Sequence, residues 1–277
     1  EGDYAQDDLE IKELWNNRKQ EENEDIEGIC LVTGQRSEIA RIHRGIKGVP
    51  GAQSSGAALV SFNASSFESY GKEQSYNAPV GKYAEYAYTT ALNFLLSDRE
   101  HSLQIGDTMV VFWAESGEKN YQDAFMECMD PPTDNQEELK YLFKKVQNGE
   151  RIEIFGNELN PEQNFYVLGL SPNAARLSVR FFYENSFGKI LNNISEHYRR
   201  MSLVKPNWET KEYLNVKELL FETVNKKAKD KKPVSNMAAM TFRAILSGER
   251  YPARLYSDIM IRIRSEQDCL LYTSPSP

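Results

Sequence analysis

Cysteine is scarce in this chain, with three in 277 residues. Cys269 lies in the terminal string CLLYTSPSP, which leaves Cys30 and Cys128 about a hundred residues apart. That count excludes a secreted disulfide scaffold and fits a reducing cytoplasm. His43, His101 and His197 are equally scattered, so no Cys or His pair has the spacing of zinc ligands and no metal or other cofactor is expected. No apolar run approaches the ~20 residues that span a bilayer, so no membrane role is expected. The chain has no GxxxxGK[ST] phosphate loop, no GxSxG elbow, no HExxH and no GxGxxG. Its many acids fall mostly on expected helix faces, with no pair that has a reason to converge. These absences remove the common routes to nucleotide hydrolysis, acyl transfer and metal-assisted chemistry, and no enzymatic activity is expected.

What remains is a globular composition, with 40% hydrophobic and 11% aromatic residues. The length suits one large domain or two ordinary ones. The formal charge of −8 is concentrated at one end: residues 1–27 hold eleven acids and three bases. The remainder is neutral overall, and residues 224–264 hold ten bases and three acids. An acidic total can therefore hide a basic face.

The pattern predicts a helix at 8–20 and a solvated linker before residue 28. Strands follow at 28–33 and 36–42, joined by a turn at Thr33-Gly34-Gln35. Residues 57–62 read as a buried strand. Residues 81–96 give the clearest helix, with an expected apolar stripe of Tyr83, Tyr86, Ala87, Thr90, Ala91, Phe94 and Leu95. A β run follows at TMVVFWAE, then an exposed helix at 135–148. Two strands, 164–170 and 175–184, are joined by Ser171-Pro172-Asn173, and an amphipathic helix spans 187–201. Beyond residue 210 only helices are expected, at 210–226, 234–247 and 252–266. The fold class is α+β: a mixed-sheet body over 28–205 and a helical, basic segment over 206–268, after an acidic lead at 1–27. Strands and helices do not alternate regularly, which disfavours a doubly wound nucleotide fold.

Candidate binding residues concentrate between Cys30 and Asn93. The loop 45–56 carries Gly48, Gly51 and Gly56, and Gly71 lies further on; glycines let a backbone turn and lie close to a ligand. Arg41, Lys47, Gln53, Ser54, Asn63, Lys72, Gln74 and Asn77 supply spaced cations, amides and a hydroxyl suited to a polyanion with hydrogen-bonding edges. On the strand at 175–184, period-two alternation puts Arg176, Ser178 and Arg180 on one face and Leu177, Val179 and Phe181 on the other. The two arginines could clamp phosphates. The plain alternatives are an ordinary surface loop and a strand with solvated arginines. Two weaker patterns stand beside these. Cys30-Leu31-Val32-Thr33-Gly34 has the outline of a zinc knuckle without its second cysteine, and a buried structural cysteine is the simpler reading. Cys30 with His43 as nucleophile and base lacks an orienting third group.

At these residues the chain resembles a known family. CLVTG, IKGVPGAQSSGAALVSFN, SYGKEQSYNAPVGKYAEYAYTTALN, IGDTMVVFWA at 105–114 and VLGLSPNAARLSVRFFYENSFGKI at 167–190 are similar, in order, to the large subunit of the type I-C CRISPR surveillance complex, the Csd family of Cascade subunits. AAMTFRAILSGERYP and LYSDIMIRIRSEQ extend the resemblance to about residue 264. It implies a non-enzymatic subunit beside the 5′ handle of the CRISPR RNA. Such a subunit helps recognise the motif flanking a double-stranded DNA target, helps open that DNA and presents the displaced strand to a separate helicase-nuclease. Its other implied partners are the backbone and handle-binding subunits. Pairing with the RNA reads the target sequence, while protein reads the flanking motif and the backbone.

Compared with that family, the chain reads as an internal fragment, lacking an N-terminal portion and a C-terminal helical bundle. Residues 269–277 read as the translation of a sequencing adapter. Two further function classes are open: a hydrolase or nuclease with unfamiliar motifs, which needs convergent carboxylates in a deep pocket, and a scaffold whose polar loop meets only protein.

Overall fold

The computed structural model describes residues 10, 26–131, 136–148, 150, 152–154, 157–202, 204, 213–229, 231–234 and 236–265. The expected helix at 8–20, apart from its residue 10, lies outside these, as do most of the acidic lead and all of the string 269–277. The chain forms two compact units. One comprises residues up to Arg44 together with Val60–Thr89, and the other Gly45–Leu59 together with everything from Thr90.

The first unit is small and mostly irregular. Strands β1 (Glu27–Ile29) and β2 (Arg36–Glu38) pair antiparallel around the turn at residues 31–35. The predicted longer strands stop early because the chain leaves the ladder to meet residues 79–81. Leu31 N donates to Pro79 O (2.9 Å), and Ala40 N to Val80 O (2.9 Å). Cys30, Val80 and Ala84 form the small buried cluster of this unit.

Helix α1 (Lys82–Ser97) has its first half in this unit and its second half in the other. The expected apolar stripe is its exposed side: Tyr83 is 80% exposed, and Tyr86 and Phe94 are exposed too. Buried instead are Ala84, Glu85, Thr89, Leu92 and Leu96. The buried polar groups are paired, which makes their burial tolerable. Glu85 accepts from Arg44 N (2.7 Å), and Thr89 Oγ1 donates to Glu85 O (2.7 Å).

The second unit is built on a four-stranded antiparallel sheet. Its strands are β3 (Ser102–Ile105), β4 (Thr108–Ala114), β7 (Asn164–Asn173) and β8 (Arg176–Ser186), adjacent in that order. A short hairpin, β5 (Ile152–Ile154) with β6 (Asn157–Leu159), lies between β4 and β7 in the chain. Among the described residues the sheets are antiparallel and not mixed, because β4, β7 and β8 are joined without a parallel crossover. The described parallel contact is the single bridge Ala58 with Arg176. That bridge is also what becomes of the strand expected at 57–62, whose chain touches the sheet at one point and moves on.

One face of the sheet carries the core. Val110, Phe112, Phe165, Val167 and Phe181 pack with residues of helices α2 (Lys119–Met129), α4 (Phe187–Arg200) and α6 (Met237–Ser247). Phe112, Phe125, Phe165 and Phe187 form a chain of rings at 4.7, 5.0 and 5.2 Å between centroids, and Phe242 joins through Phe125 and Phe181. Such ring pairs contribute ~0.5–1.5 kcal/mol each beyond area burial. Helix α4 buries Phe187, Ile190, Leu191, Ile194 and Tyr198 at helical spacing. Asn193 on the same side donates to Leu246 O (2.6 Å), satisfying a carbonyl in the last turn of α6. Helices α3 (Gln136–Gln147), α5 (Val216–Phe221) and α7 (Ala253–Ser265) also contribute to this core, through Leu142, Leu219 and Leu255 among others. The helices after residue 210 thus pack with the sheet, in shorter pieces than expected.

Candidate nucleic-acid interface

The glycine-rich loop is a closed, anchored structure in the second unit. At its neck Ile46 and Ala57 exchange two backbone hydrogen bonds, each 2.9 Å. Gly45 and Gly56 cross there so closely that a Cβ on Gly56 would lie 2.9 Å from Gly45 Cα, and Gly56 has φ +112°. Two turns shape the tip, with Ala52 N to Val49 O at 3.1 Å and Gly56 N to Gln53 O at 3.0 Å.

Asn93 of α1 holds one side of the loop, accepting from Lys47 N at 2.8 Å and donating to Gly45 O at 3.3 Å. The other side joins the β7–β8 hairpin, where Ala58 N donates to Ala175 O (3.2 Å) and Leu177 N to Ala58 O (2.9 Å). The loop glycines approach protein, not an open surface: Gly48 faces Leu96, Gly51 faces Pro172 and Gly56 faces Gly45. Gly71 alone of the four singled out has open space beside it.

This architecture leaves Lys47, Gln53 and Ser54 exposed, on a loop bridged directly to the residue bearing Arg176. Arg180 behaves differently. It is the extra residue of a β-bulge, since Leu170 pairs with Val179 and Gly169 with Phe181. Its guanidinium donates to Ser171 Oγ (3.3 Å) and lies 3.9 Å from Asp107. It ties β8 to the β3–β4 turn. The bulge also breaks the expected alternation: Leu177 and Phe181 are buried, but Val179 is exposed.

The remaining candidates, Arg41, Asn63, Lys72, Gln74 and Asn77, fall in the first unit. Arg41 Nε donates to Gln74 Oε1 (2.8 Å). Asn77 brackets the loop 69–77: its Oδ1 accepts from Ser69 N and Oγ, and its Nδ2 donates to Lys72 O and Gln74 O. Both donors and both lone pairs of that amide are engaged, leaving none for a base edge. Asn63 and Lys72 are exposed. Lys72 borders an apolar groove of about 600 Å³ lined by Ile26, Ile29, Leu31, Ile39 and Pro79 among others.

Beside Lys72 stands Tyr70, 98% exposed with φ +53°. It is an aromatic at a loop tip that the sequence reading passed over; the run Ser69-Tyr70-Gly71-Lys72 was the available signal, since stacking surfaces combine rings with cations. Of the other cations in this stretch, Arg36 pairs with Glu27 (2.9 Å), and Arg44 lies over the Tyr86 ring (4.8 Å).

The imagined thiol–imidazole pair is not assembled. His43 Nδ1 meets Tyr88 Oη at 2.6 Å, while Cys30 Sγ accepts the N–H of Gly81 at 3.2 Å. Burial alone would raise the Cys30 thiol. The amide of Gly81, the Thr33 hydroxyl and the amides of Thr33 and Val32 outweigh it and bring the pKa to about 7. Burial pushes the Cys128 thiol well up. Among the described residues no three His, Cys, Asp or Glu side chains gather as they would around a metal ion.

A family model described as CRISPR-associated protein (Cas_Csd1) matches residues 1–274. The chain belongs to the Csd1 family. The match takes in the acidic lead as well as both structural units, and it agrees with the resemblance carried by the ordered blocks between Cys30 and Gln267. No curated protein matches the chain. Among the described residues of this Csd1-family chain, no helix is long and apolar enough to cross a membrane.

Proposed function

We propose that this Csd1-family chain is a non-enzymatic large subunit of an RNA-guided, cytoplasmic antiviral surveillance complex of Cascade type. In this reading it helps recognise the motif flanking the target, binds target DNA beside the CRISPR RNA and supports recruitment of a helicase-nuclease. The backbone and handle-binding subunits are its neighbours. The observation that carries the reading is the family match along residues 1–274. The loop geometry supports it: an anchored loop presents Lys47, Gln53 and Ser54 together with the strand of Arg176. A polyanion needs such a fixed frame of donors, because phosphate contacts set position and base contacts set sequence preference.

The test is salt-titrated binding of assembled complexes to duplexes with varied flanks. Lys47→Ala and Arg176→Ala should each weaken binding almost equally across flanks and lower the salt slope by about one. Gln53→Ala should cost ~1–3 kcal/mol and alter flank preference where it reads a base edge. Unchanged affinity, slope and assembly in all three variants would overturn the assignment of this surface.

A further inference from the structure

The face of the sheet opposite the core carries an aromatic row with an acidic border. Strand register aligns Trp113 of β4, Tyr166 of β7 and Glu184 of β8 side by side. The neighbouring row on the same face aligns Val111, Leu168 and Phe182. Trp113 and Tyr166 stack at 5.4 Å with planes 18° apart, and Phe182 stacks on Tyr166 at 6.2 Å, also at 18°. Phe182 is 53% exposed, while Trp113 and Tyr166 are partly exposed. Trp113 and Phe182 also meet, at 6.5 Å and 36°, so the three rings make one mutually stacked aromatic platform across three strands.

Carboxylates border it on two sides. Glu184 flanks Tyr166 directly across the ladder, is exposed and has no ion-pair partner among the described residues. Glu115, two residues beyond Trp113 on the same face, is held by Asn164 Nδ2 at 2.9 Å. Partial burial, then the charges of Glu115 and Glu184, raise the Tyr166 phenol above its ordinary value, so both carboxylates are within electrostatic reach of the rings.

We propose that this platform is a docking site for an arginine-bearing segment of a partner protein. A guanidinium is planar and weakly hydrated, stacks on aromatic faces and pairs with carboxylates, so it matches the rings and the border at once. Trp, Tyr and Arg are also the residues that dominate interface energetics. A stacked nucleobase would fit the rings, but its phosphates would meet Glu115 and Glu184 instead of cations. The platform is therefore the protein-facing counterpart of the polar loop, and its argument does not rest on the DNA-binding reading.

The test uses the full chain, ¹⁵N-labelled, with the Trp113 indole N–H assigned by Trp113→Phe. The probes are acetyl-Gly-Arg-Gly-Arg-Gly-amide, the same peptide with citrulline for arginine, and a fifteen-residue oligothymidylate. The arginine peptide should shift the Trp113 signal saturably and more weakly as salt rises, while the other two leave it in place. Glu115→Gln with Glu184→Gln should weaken the peptide roughly five- to tenfold with an unchanged circular dichroism spectrum. Lys47→Ala should not alter it. Equal binding of the citrulline peptide, a shift with oligothymidylate alone, or no effect of the paired glutamine changes would each overturn the proposal.

Discussion

His197 is 3% exposed on the buried side of α4, with Nδ1 against Tyr251 Oη at 2.8 Å. Burial, reinforced by the charge of Arg200, brings its pKa from 6.5 down to about 4. A histidine depressed in this way binds fewer protons folded than unfolded, so acid favours unfolding. Its contribution is full above pH 6.5 and is lost as pH falls towards 4, up to about 3 kcal/mol from the size of the shift. His43, lowered by burial against the raising charge of Glu85, acts in the same direction. Glu196 acts in the same direction over a lower range: hydrogen bonds from Arg199 and Arg200 hold its carboxyl at about 2, so its contribution is full above pH 4.5 and is lost as pH falls towards 2. Between pH 6.5 and 4.5 the histidines therefore set the slope. Urea midpoints should fall from pH 7.5 to pH 5, and His197→Gln should flatten that fall while lowering the midpoint at pH 7.5. An equally steep fall in the variant would show that His197 is not the titrating group.

At the scale of the element, the loop 45–59 depends on its neck. Alanine at Gly56 would need a left-handed backbone and a Cβ at 2.9 Å from Gly45 Cα. Strain of that kind costs roughly 1–3 kcal/mol. The Gly56→Ala variant should open the neck before it unfolds the sheet. Hydrogen exchange at the Ile46 and Ala57 amides should accelerate, with exchange in β4 and β7 unchanged. Retained protection at both neck amides would mean the crossing tolerates a side chain. Several elements were legible because period and burial agree: β4, β7 and the α4 helix with its apolar stripe; the extent of α1 was legible too, although its large apolar side chains face outward. Others were not, for physical reasons. In α1 the large side chains face outward because Ala84, Glu85 and Thr89 allow a close, hydrogen-bonded approach that tyrosines would block. In β8 the alternation fails at Arg180, because a bulge depends on the partner strand and leaves no local sequence signal. Helix α2 was missed although Tyr121, Ala124, Phe125, Cys128 and Met129 recur at helical spacing; the pattern was present and went unread.

At the scale of the whole molecule, the division into units was the least legible feature. The excursion 45–59 belongs with the sheet while the chain on either side of it does not, and that arrangement rests on pairing with residues 93 and 175–177. The candidate residues were legible as a polar set, but their partition between two units, and the use of Asn77 and Arg180 as internal ties, needed tertiary contacts. Charge is the global property that sequence does state directly. Residues 1–25 hold ten acids and three bases, which is −7 of the formal −8. In the proposed function the charge of this lead is either left unneutralised or neutralised by a partner, and the two differ in a rate. Removing residues 1–25 leaves a formal charge of −1 and should speed association of the assembled complex with target DNA. The gain should be roughly three- to tenfold at 50 mM salt and vanish near 300 mM, where screening is over a few ångströms. Dissociation should change little, because steering acts on encounter and not on the bound contacts. Stopped-flow association at the two salt concentrations separates the cases: equal rates with and without the lead at 50 mM would mean that its charge is already neutralised by a neighbour in the complex.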